Sequence, residues 1–397
     1  MNISGNKNNI AVVVVGYNRK KSIKRLLNSL LNSHYLNDNV PLVICLDNCG
    51  NNDVYDFANQ FNWRFGEKFV IHQTERQGLK NHILKCGNLT KFFKAIIMLE
   101  DDLYVSPFFY NYVKNSLNQY IKDDNVAGIS LYRNEINGYV GLPFTPLNNG
   151  FDVFAMQTVC SWGQCWTSKM WDGFILWLEN NDPIDFDSID MIDNIKSWDK
   201  AWSKYFYAYI ITTNKFFIFP YISLSTNFGD SGENNENAIN NTDYQTNLSF
   251  GKSDYNIPSF DKLVKYDVYF NFIGFGEFCK INNNDLCVDF WGTNNNKTNK
   301  KYILSPFKLP FKIINSFAMK LRPIELNVIF NIGGDSLFLY DTEMNLDKNV
   351  SKNYNYKQLK YFSKGYNLIF MFQIILNNLN KILIFFLKKF INNARSK

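Results

Sequence analysis

Residues 95–102 read Ala-Ile-Ile-Met-Leu-Glu-Asp-Asp, and Leu-Tyr-Val-Ser-Pro-Phe-Phe follows at 103–109. The apolar run Ala95–Leu99 is short, rich in branched side chains and preceded by polar residues, as a buried strand is. It stops at three carboxylates, Glu100, Asp101 and Asp102. Ser106-Pro107 then has the form of an N-cap followed by proline at the first helical position. Strand, acidic triplet and helix start place the carboxylates at the C-terminal edge of a sheet, where open α/β folds bind ligands. Side chains of an extended chain alternate, so Glu100 and Asp102 are expected on one side and Asp101 on the other. Adjacent negative charges repel, and a divalent cation relieves that cost. The competing reading is a solvated acidic turn.

Upstream, Ile10–Val15 is a near-continuous apolar strand of the kind buried in parallel sheets. It runs into Gly16-Tyr17-Asn18-Arg19, then a helix with Ile23, Leu26, Leu27, Leu30 and Leu31 on one face. A second strand, Pro41–Leu46, ends at Asp47-Asn48-Cys49-Gly50, with a helix from about residue 53. A third, Phe69–Gln73, precedes a polar loop and a helix ahead of the 95–99 strand. This alternation predicts an α/β fold, a mostly parallel central sheet flanked by helices. Asn18, Arg19, Asp47 and the triplet then gather at one sheet edge, a nucleotide-site pattern. The first loop has neither GxGxxG nor GxxxxGK[ST]. A nucleotide there must be held by side chains, with the diphosphate charge met elsewhere, as a metal on the triplet would do.

Composition sets bounds. The 397 residues allow one large domain with a smaller one, or two domains, and 46% hydrophobic content supports a large core. A net charge of +6 is too mild for a dedicated nucleic-acid binder. The seven cysteines form no CxxC pair and there are only three histidines, so a structural zinc site is not expected. Free thiols and a polar N-terminus, Asn2–Asn9, fit a reducing cytoplasm.

Beyond the triplet, Val126–Tyr132 reads as a strand. Residues 160–171 carry Trp162, Trp166 and Trp171, a density typical of core, with Gly163 marking a close backbone approach. Asp185 and Asp187 spell a second DxD-like pair with no strand before it, hence a solvated loop. Asp199 lies between Trp198 and Trp202, where low dielectric would raise a carboxylate pKa toward that of a general base. The alternative is an ordinary helix N-terminal aspartate. Phe216–Tyr221 is a further strand, and Ser225–Gly232 is a glycine-bearing polar loop suited to a lid.

Together these motifs resemble GT-A-fold inverting glycosyltransferases. The likeness is to the group of the N-acetylglucosaminyltransferase that initiates complex N-glycans and its bacterial surface-polysaccharide relatives. It covers roughly residues 10–235, with Asp289-Phe290-Trp291-Gly292 and Tyr302–Ser305 echoing bacterial members. The resemblance implies a UDP-sugar donor and Mn2+ or Mg2+ bound directly by Asp102. It places Glu100 and Asp101 on the sugar and ribose, Asp47 on the uracil, and Gly16, Asn18 and Arg19 near the nucleotide. Trp198-Asp199 matches the family's Trp-Asp pair, whose Asp is the base. Ser225, Asn227 and Gly229 belong to the segment that orders over the nucleotide. The acceptor would be a glycan or lipid-linked sugar. A sugar nucleotidyltransferase, or an inactive nucleotide-sugar-binding subunit, is the alternative.

The expected organisation is a catalytic domain over 1–305, with nucleotide and acceptor halves at about 10–110 and 111–235. An extension follows over 306–365 and a helix over 366–397. On a helical wheel of about 100° per residue, Gln373, Asn377, Asn380, Lys381, Lys388 and Asn392 fall on one half. Ile375, Leu376, Leu379, Ile382, Leu383, Phe386, Leu387 and Phe390 fill the other. With Lys388, Lys389, Arg395 and Lys397, this suits a helix in the membrane interface, peripheral on the inner face of the cell membrane. A core or oligomer helix is the alternative.

Overall fold

The computed structural model describes residues 5–199, 201–232, 244–295, 299–346, 350–351, 353–363, 367–379 and 383. The first half alternates as the hydrophobic pattern requires: β1 (Ile10–Gly16), α1 (Lys20–Leu31), β2 (Leu42–Leu46), α2 (Asp53–Gln60), β3 (Lys68–His72), α3 (Leu79–Gly87) and β4 (Ala95–Glu100). A short β5 (Leu103–Val105) leads to α4 (Phe109–Tyr120) and β6 (Val126–Ser130). A small hairpin, β7 (Ile136–Asn137) and β8 (Leu142–Pro143), precedes β9 (Val153–Met156) and β10 (Gln164–Thr167). Then come α5 (Ser168–Asn180), α6 (Asp193–Lys196), α7 (Trp202–Thr212), β11 (Phe216–Pro220), β12 (Ser225–Asn227) and β13 (Lys265–Tyr266).

Nine strands form one sheet in the order β13-β9-β11-β6-β10-β4-β1-β2-β3. The block β4-β1-β2-β3 is parallel throughout, and β10 joins β4 antiparallel. β1 is buried along its whole length between β4 and β2, which explains why it is a run of valines with no polar alternation. Chain order runs outward from β1 to β3, then jumps back across the sheet to β4. Right-handed crossovers therefore send α1 and α2 to one face and α3 to the other. Accordingly α1 packs on α2, whereas α3 packs on α7, and α7 on α5. The reversal of strand order between β1 and β4 opens a crevice at their C-terminal ends.

Beneath that crevice the aromatic residues form much of the core. Trp166 and Trp171 are fully buried, and Trp166 meets Trp171, Trp202, Phe206 and Phe217 at ring-centroid distances of 5.0 to 6.3 Å. Gly87 is where α3 touches this cluster: a Cβ there would sit 2.0 Å from the Trp171 ring. The tryptophan-dense stretch is thus core at Trp166 and Trp171. Trp162 is the exception, being only half-buried.

One local expectation is corrected. The helix after the triplet begins at Phe109, not at Pro107. Ser106 is fully buried and its N–H donates to the Leu224 carbonyl at 2.8 Å, extending the β5–β12 pairing through the position that would have capped a helix. Asp185 and Asp187 are both exposed, Asp185 capping the 3-10 turn Phe186–Ser188 and its carboxylate accepting from the Asp187 N–H at 3.1 Å. The division at residue 305 falls inside a sheet. The chain continues through α8 (Phe275–Cys279), β14 (Leu286–Val288), β15 (Tyr302–Ser305), β16 (Phe311–Phe317), α9 (Leu326–Ile329) and β17 (Leu337–Asn345). The order β14-β15-β17-β16 pairs strands from both sides of 305.

After α10 (Tyr356–Phe362) comes α11 (Leu368–Asn377). Its side chains from Ile369 to Leu376 are all exposed and all apolar except Gln373. Gln373 and Asn377, one turn apart, make a single polar stripe on an otherwise apolar helix. No helix among the described residues is long and apolar enough to cross a membrane. Of the remaining wheel positions, Leu379 and Leu383 are described, and the other calls from Asn380 to Lys397 lie outside the described residues.

Candidate functional site

The crevice holds a cleft of about 420 Å3. It is lined by Gly16, Asn18, Arg19, Asp47, the whole acidic triplet, Asn227 and Gly229, all singled out from sequence. Ser225 lies just behind the wall, its Oγ donating to the Trp162 carbonyl at 2.5 Å.

The triplet does not alternate as an extended chain would. β4 ends at Glu100, and the turn that follows brings Asp101 and Asp102 to the same cation. Arg19, in the turn between β1 and α1, spans both. Its Nε donates to Asp101 Oδ2 at 3.3 Å, its Nη2 to Asp101 Oδ1, and its Nη1 to Asp102 Oδ2 at 3.0 Å. Burial opposes the guanidinium charge, but Asp101 and Asp102 outweigh it and hold Arg19 protonated. Glu100 feels the Arg19 charge and a Ser161 hydrogen bond, but both are outweighed. Burial first, then the charges of Asp102 and Asp101, push its carboxyl up to about 8. Burial likewise raises Asp101 to about 6 against the pull of Arg19.

A second set of contacts clamps the Ser225–Gly232 loop across this edge. Asn227 Nδ2 donates to Asp102 Oδ1 at 3.2 Å, and the Phe228 N–H to the Asp102 carbonyl at 3.0 Å. Asp230 is bound by Arg25 and by Ser22 Oγ, the latter at 2.7 Å, while Arg25 lies 3.8 Å over the Phe228 ring. Burial would raise the Asp230 carboxyl, yet these donors hold it below its ordinary value. The Ser225–Gly232 loop is therefore docked on this edge.

At the other end, Asp47 accepts three backbone N–H bonds, from Asn48 and Gln77 on Oδ1 and Gly78 on Oδ2, at 2.8 to 2.9 Å. It thereby fixes the loop that opens α3, and with about four lone-pair sites on a carboxylate it keeps about one for a ligand. His82, on α3, is buried. Its Nε2 faces the Cys45 carbonyl at 3.3 Å, its Nδ1 has no partner, and burial lowers its pKa, so the ring is neutral. Trp162 lies between Tyr132 and Tyr244, each 4.7 Å away by ring centroid.

Among the lining residues that sequence reading did not single out, those with polar or aromatic side chains are Tyr17, Arg76, His82, Trp162, Asp230 and Tyr244. Tyr17 and Asp230 sat inside stretches already marked, so proximity was the available signal. Arg76, His82 and Tyr244 carried none. Trp198 and Asp199 are not among the lining residues. Asp199 is exposed, not enclosed, because Trp202 points into the core while Trp198 turns to Asn194 and Tyr207. The low-dielectric setting expected for Asp199 is absent.

The triplet offers the hard carboxylate oxygens that a divalent cation prefers. Among the described residues no three His, Cys, Asp or Glu side chains converge on one point. The protein alone offers too few ligands, and Asp102 fits as an anchor only if a ligand's own oxygens complete the shell.

No protein-family model and no curated protein matches the sequence. Among solved structures, the chain is similar to S. aureus TarS 1-349, at 15% identity and TM-score 0.34, over 53% of this chain and 57% of that one. The same protein in complex with UDP-GlcNAc matches at 18% identity and TM-score 0.26, over 34% and 37%. A mannosyltransferase, PcManGT from Pyrobaculum calidifontis, in complex with GDP-Man and Mn2+, matches at 13% identity and TM-score 0.32, over 44% and 47%. The chain spans about half the length, or less, of these structures.

Proposed function

We propose that the chain is a glycosyltransferase that takes a sugar from a UDP-sugar in this cleft and passes it to a glycan or lipid-linked acceptor, with inversion, in surface-polysaccharide synthesis. The observation that carries the reading is the meeting of Arg19, Asp47 and the acidic triplet at the switch point between β1 and β4. The nucleobase lies at the end walled by Tyr17, Asp47 and His82, and the diphosphate lies toward Arg19 and the triplet. Asp102 would hold Mn2+ or Mg2+, with a bound diphosphate completing the shell. A divalent ion there supplies positive charge against the negative charge that develops on the leaving diphosphate.

The chain's own residues do the positioning. Asp47 holds the 77–78 backbone as one wall, and Asn227 orients Asp102. Trp162 presents a half-buried ring on which a sugar can stack. The acceptor hydroxyl must lose its proton as it attacks. The resemblance assigns that proton to Asp199, whose exposed position off the cleft lends this no support, and the base stays outside the proposal. The exposed apolar side chains of α11 support contact with a bilayer surface. Incubation with a panel of UDP-sugars and a glycan acceptor tests the reading. UDP release that requires Mn2+ or Mg2+ is expected. Pyrophosphate release from a nucleoside triphosphate and a sugar phosphate would instead mark a nucleotidyltransferase.

A further inference from the structure

A second groove, of about 400 Å3, is walled by α5 and α7. Val126 and Lys215 line it where β6 and β11 begin. β10 is antiparallel to both β4 and β6, so β6 runs in the same direction as β4. The groove therefore lies at the opposite edge of the sheet from the nucleotide cleft, separated by the five residues of β6, about 17 Å. Its lining joins aromatic surface to an open hydrogen-bonding group. Trp177 is half-buried, with its ring centroid 5.9 Å from that of Tyr209. Tyr209 is only 3% exposed, yet it lines the groove, and among the described residues its hydroxyl has no hydrogen-bond partner. Gly173 is what makes room for that hydroxyl, since a Cβ there would sit 2.9 Å from Tyr209 Oη. Glycine inside a helix is unfavourable, and here it keeps α5 clear of the Tyr209 tip.

The charges on the rim cancel. Lys169 Nζ meets Asp124 Oδ1 at 2.6 Å, Lys215 Nζ donates to the Asp124 carbonyl, and Asp123 Oδ1 accepts from the Asn125 N–H and Nδ2 at 2.9 Å. Two lysines against two aspartates give no net field for a nucleic acid or another phosphate chain. An apolar peptide or acyl chain would bury the Tyr209 hydroxyl unpaired, at a cost. A sugar ring meets both demands, because it carries an apolar C–H face and hydroxyls around its edge. We infer that this groove binds a neutral oligosaccharide, with a pyranose face on Trp177 and a sugar hydroxyl on Tyr209 Oη. The binding stands apart from the nucleotide cleft. Its use, holding an acceptor chain whose end is extended at the far edge, rests on the glycosyltransferase reading. A chain long enough to span both sites gains local concentration that a short acceptor does not.

Chitohexaose and maltohexaose, one with N-acetyl groups and one without, are the probes. Each is titrated into the full chain by saturation-transfer NMR, with and without saturating UDP. At least one should bind, undisturbed by UDP. Tyr209→Phe, which deletes only the hydroxyl, should weaken that binding about fivefold, and Trp177→Ala about tenfold or more. UDP affinity by calorimetry should be the same in both variants as in the unaltered protein, which a general loss of structure would not leave so. Tyr209→Phe carries the test alone if Trp177→Ala fails to fold. Binding of neither probe, competition by UDP, or an affinity unmoved by Tyr209→Phe would overturn the site. Sugar bound by an unaltered protein that has no affinity for UDP would support the groove and contradict the reading of the cleft.

Discussion

Glu100–Asp102 and Trp198–Asp199 are both acidic stretches beside apolar residues, and the fold treats them in opposite ways. The triplet ends a fully buried strand, and its carboxylates are tied to Arg19 and Asn227, more than 80 residues away in sequence. Asp199 sits in an exposed connection between two short helices, and one of its neighbouring tryptophans is drawn into the core without it. The contrast teaches that strand ends inherit their surroundings from the sheet, whereas a loop carboxylate takes its surroundings from whichever way each flanking ring turns. Local composition settles the first case and not the second.

The comparison is sharpened most by removing the anchor on the buried side. Asp102→Ala should lower the rate of UDP release from a productive UDP-sugar by about 10^3-fold, since it removes the proposed ion anchor and the partner of Asn227. Retention of most activity would put the two stretches on equal terms. Next in size is Asp47→Ala. Three backbone N–H groups lose their acceptor, and urea unfolding should register a loss of about 2 kcal/mol. An unchanged midpoint would mean that water replaces the carboxylate without cost.

Smaller again is a pH effect confined to the triplet. Glu100, raised to about 8, stays protonated in the fold over a range in which the unfolded chain has ionised. The folded state then binds more protons, so its stability falls as pH rises from the ordinary glutamate range toward 8. Without nucleotide or metal, Glu100→Gln should flatten that decline and raise the melting temperature at pH 8 by about 2 °C. A variant that parallels the original at every pH would show that Glu100 is solvated. The smallest effect belongs to the exposed side: Asp199→Asn should cost less than about threefold in turnover. Abolished turnover with intact UDP binding would reverse the comparison and make Asp199 the base.

Much of this was legible in the sequence, for reasons that differ by region. The elements from β1 to β4 could be read because each is a local apolar run closed by polar punctuation, and the parallel order follows from their alternation. Gly16, Asn18, Arg19, Asp47 and the triplet could be placed together because they all end or follow strands of that block. What they do to one another could not be read. The Arg19 bridge spans 82 and 83 residues, and the Ser22 and Arg25 contacts to Asp230 span 208 and 205. Such pairings come from topology, not from pattern. Ser106 misled for the same reason: its partner, Leu224, is remote, and the long-range pairing overrode a good local capping signal. Strand pairing between β15 and β17, across residue 305, likewise has no local signature.

The central claim is that this cleft binds a uridine diphosphate through a divalent ion held at Asp102. Calorimetric titration of UDP into the unaltered protein and into Asp102→Ala, each with and without Mn2+, tests it most directly. The account predicts that Mn2+ tightens UDP binding about tenfold or more in the unaltered protein and leaves Asp102→Ala unmoved. Equal UDP affinity with and without Mn2+, or a full Mn2+ gain retained by Asp102→Ala, would contradict it.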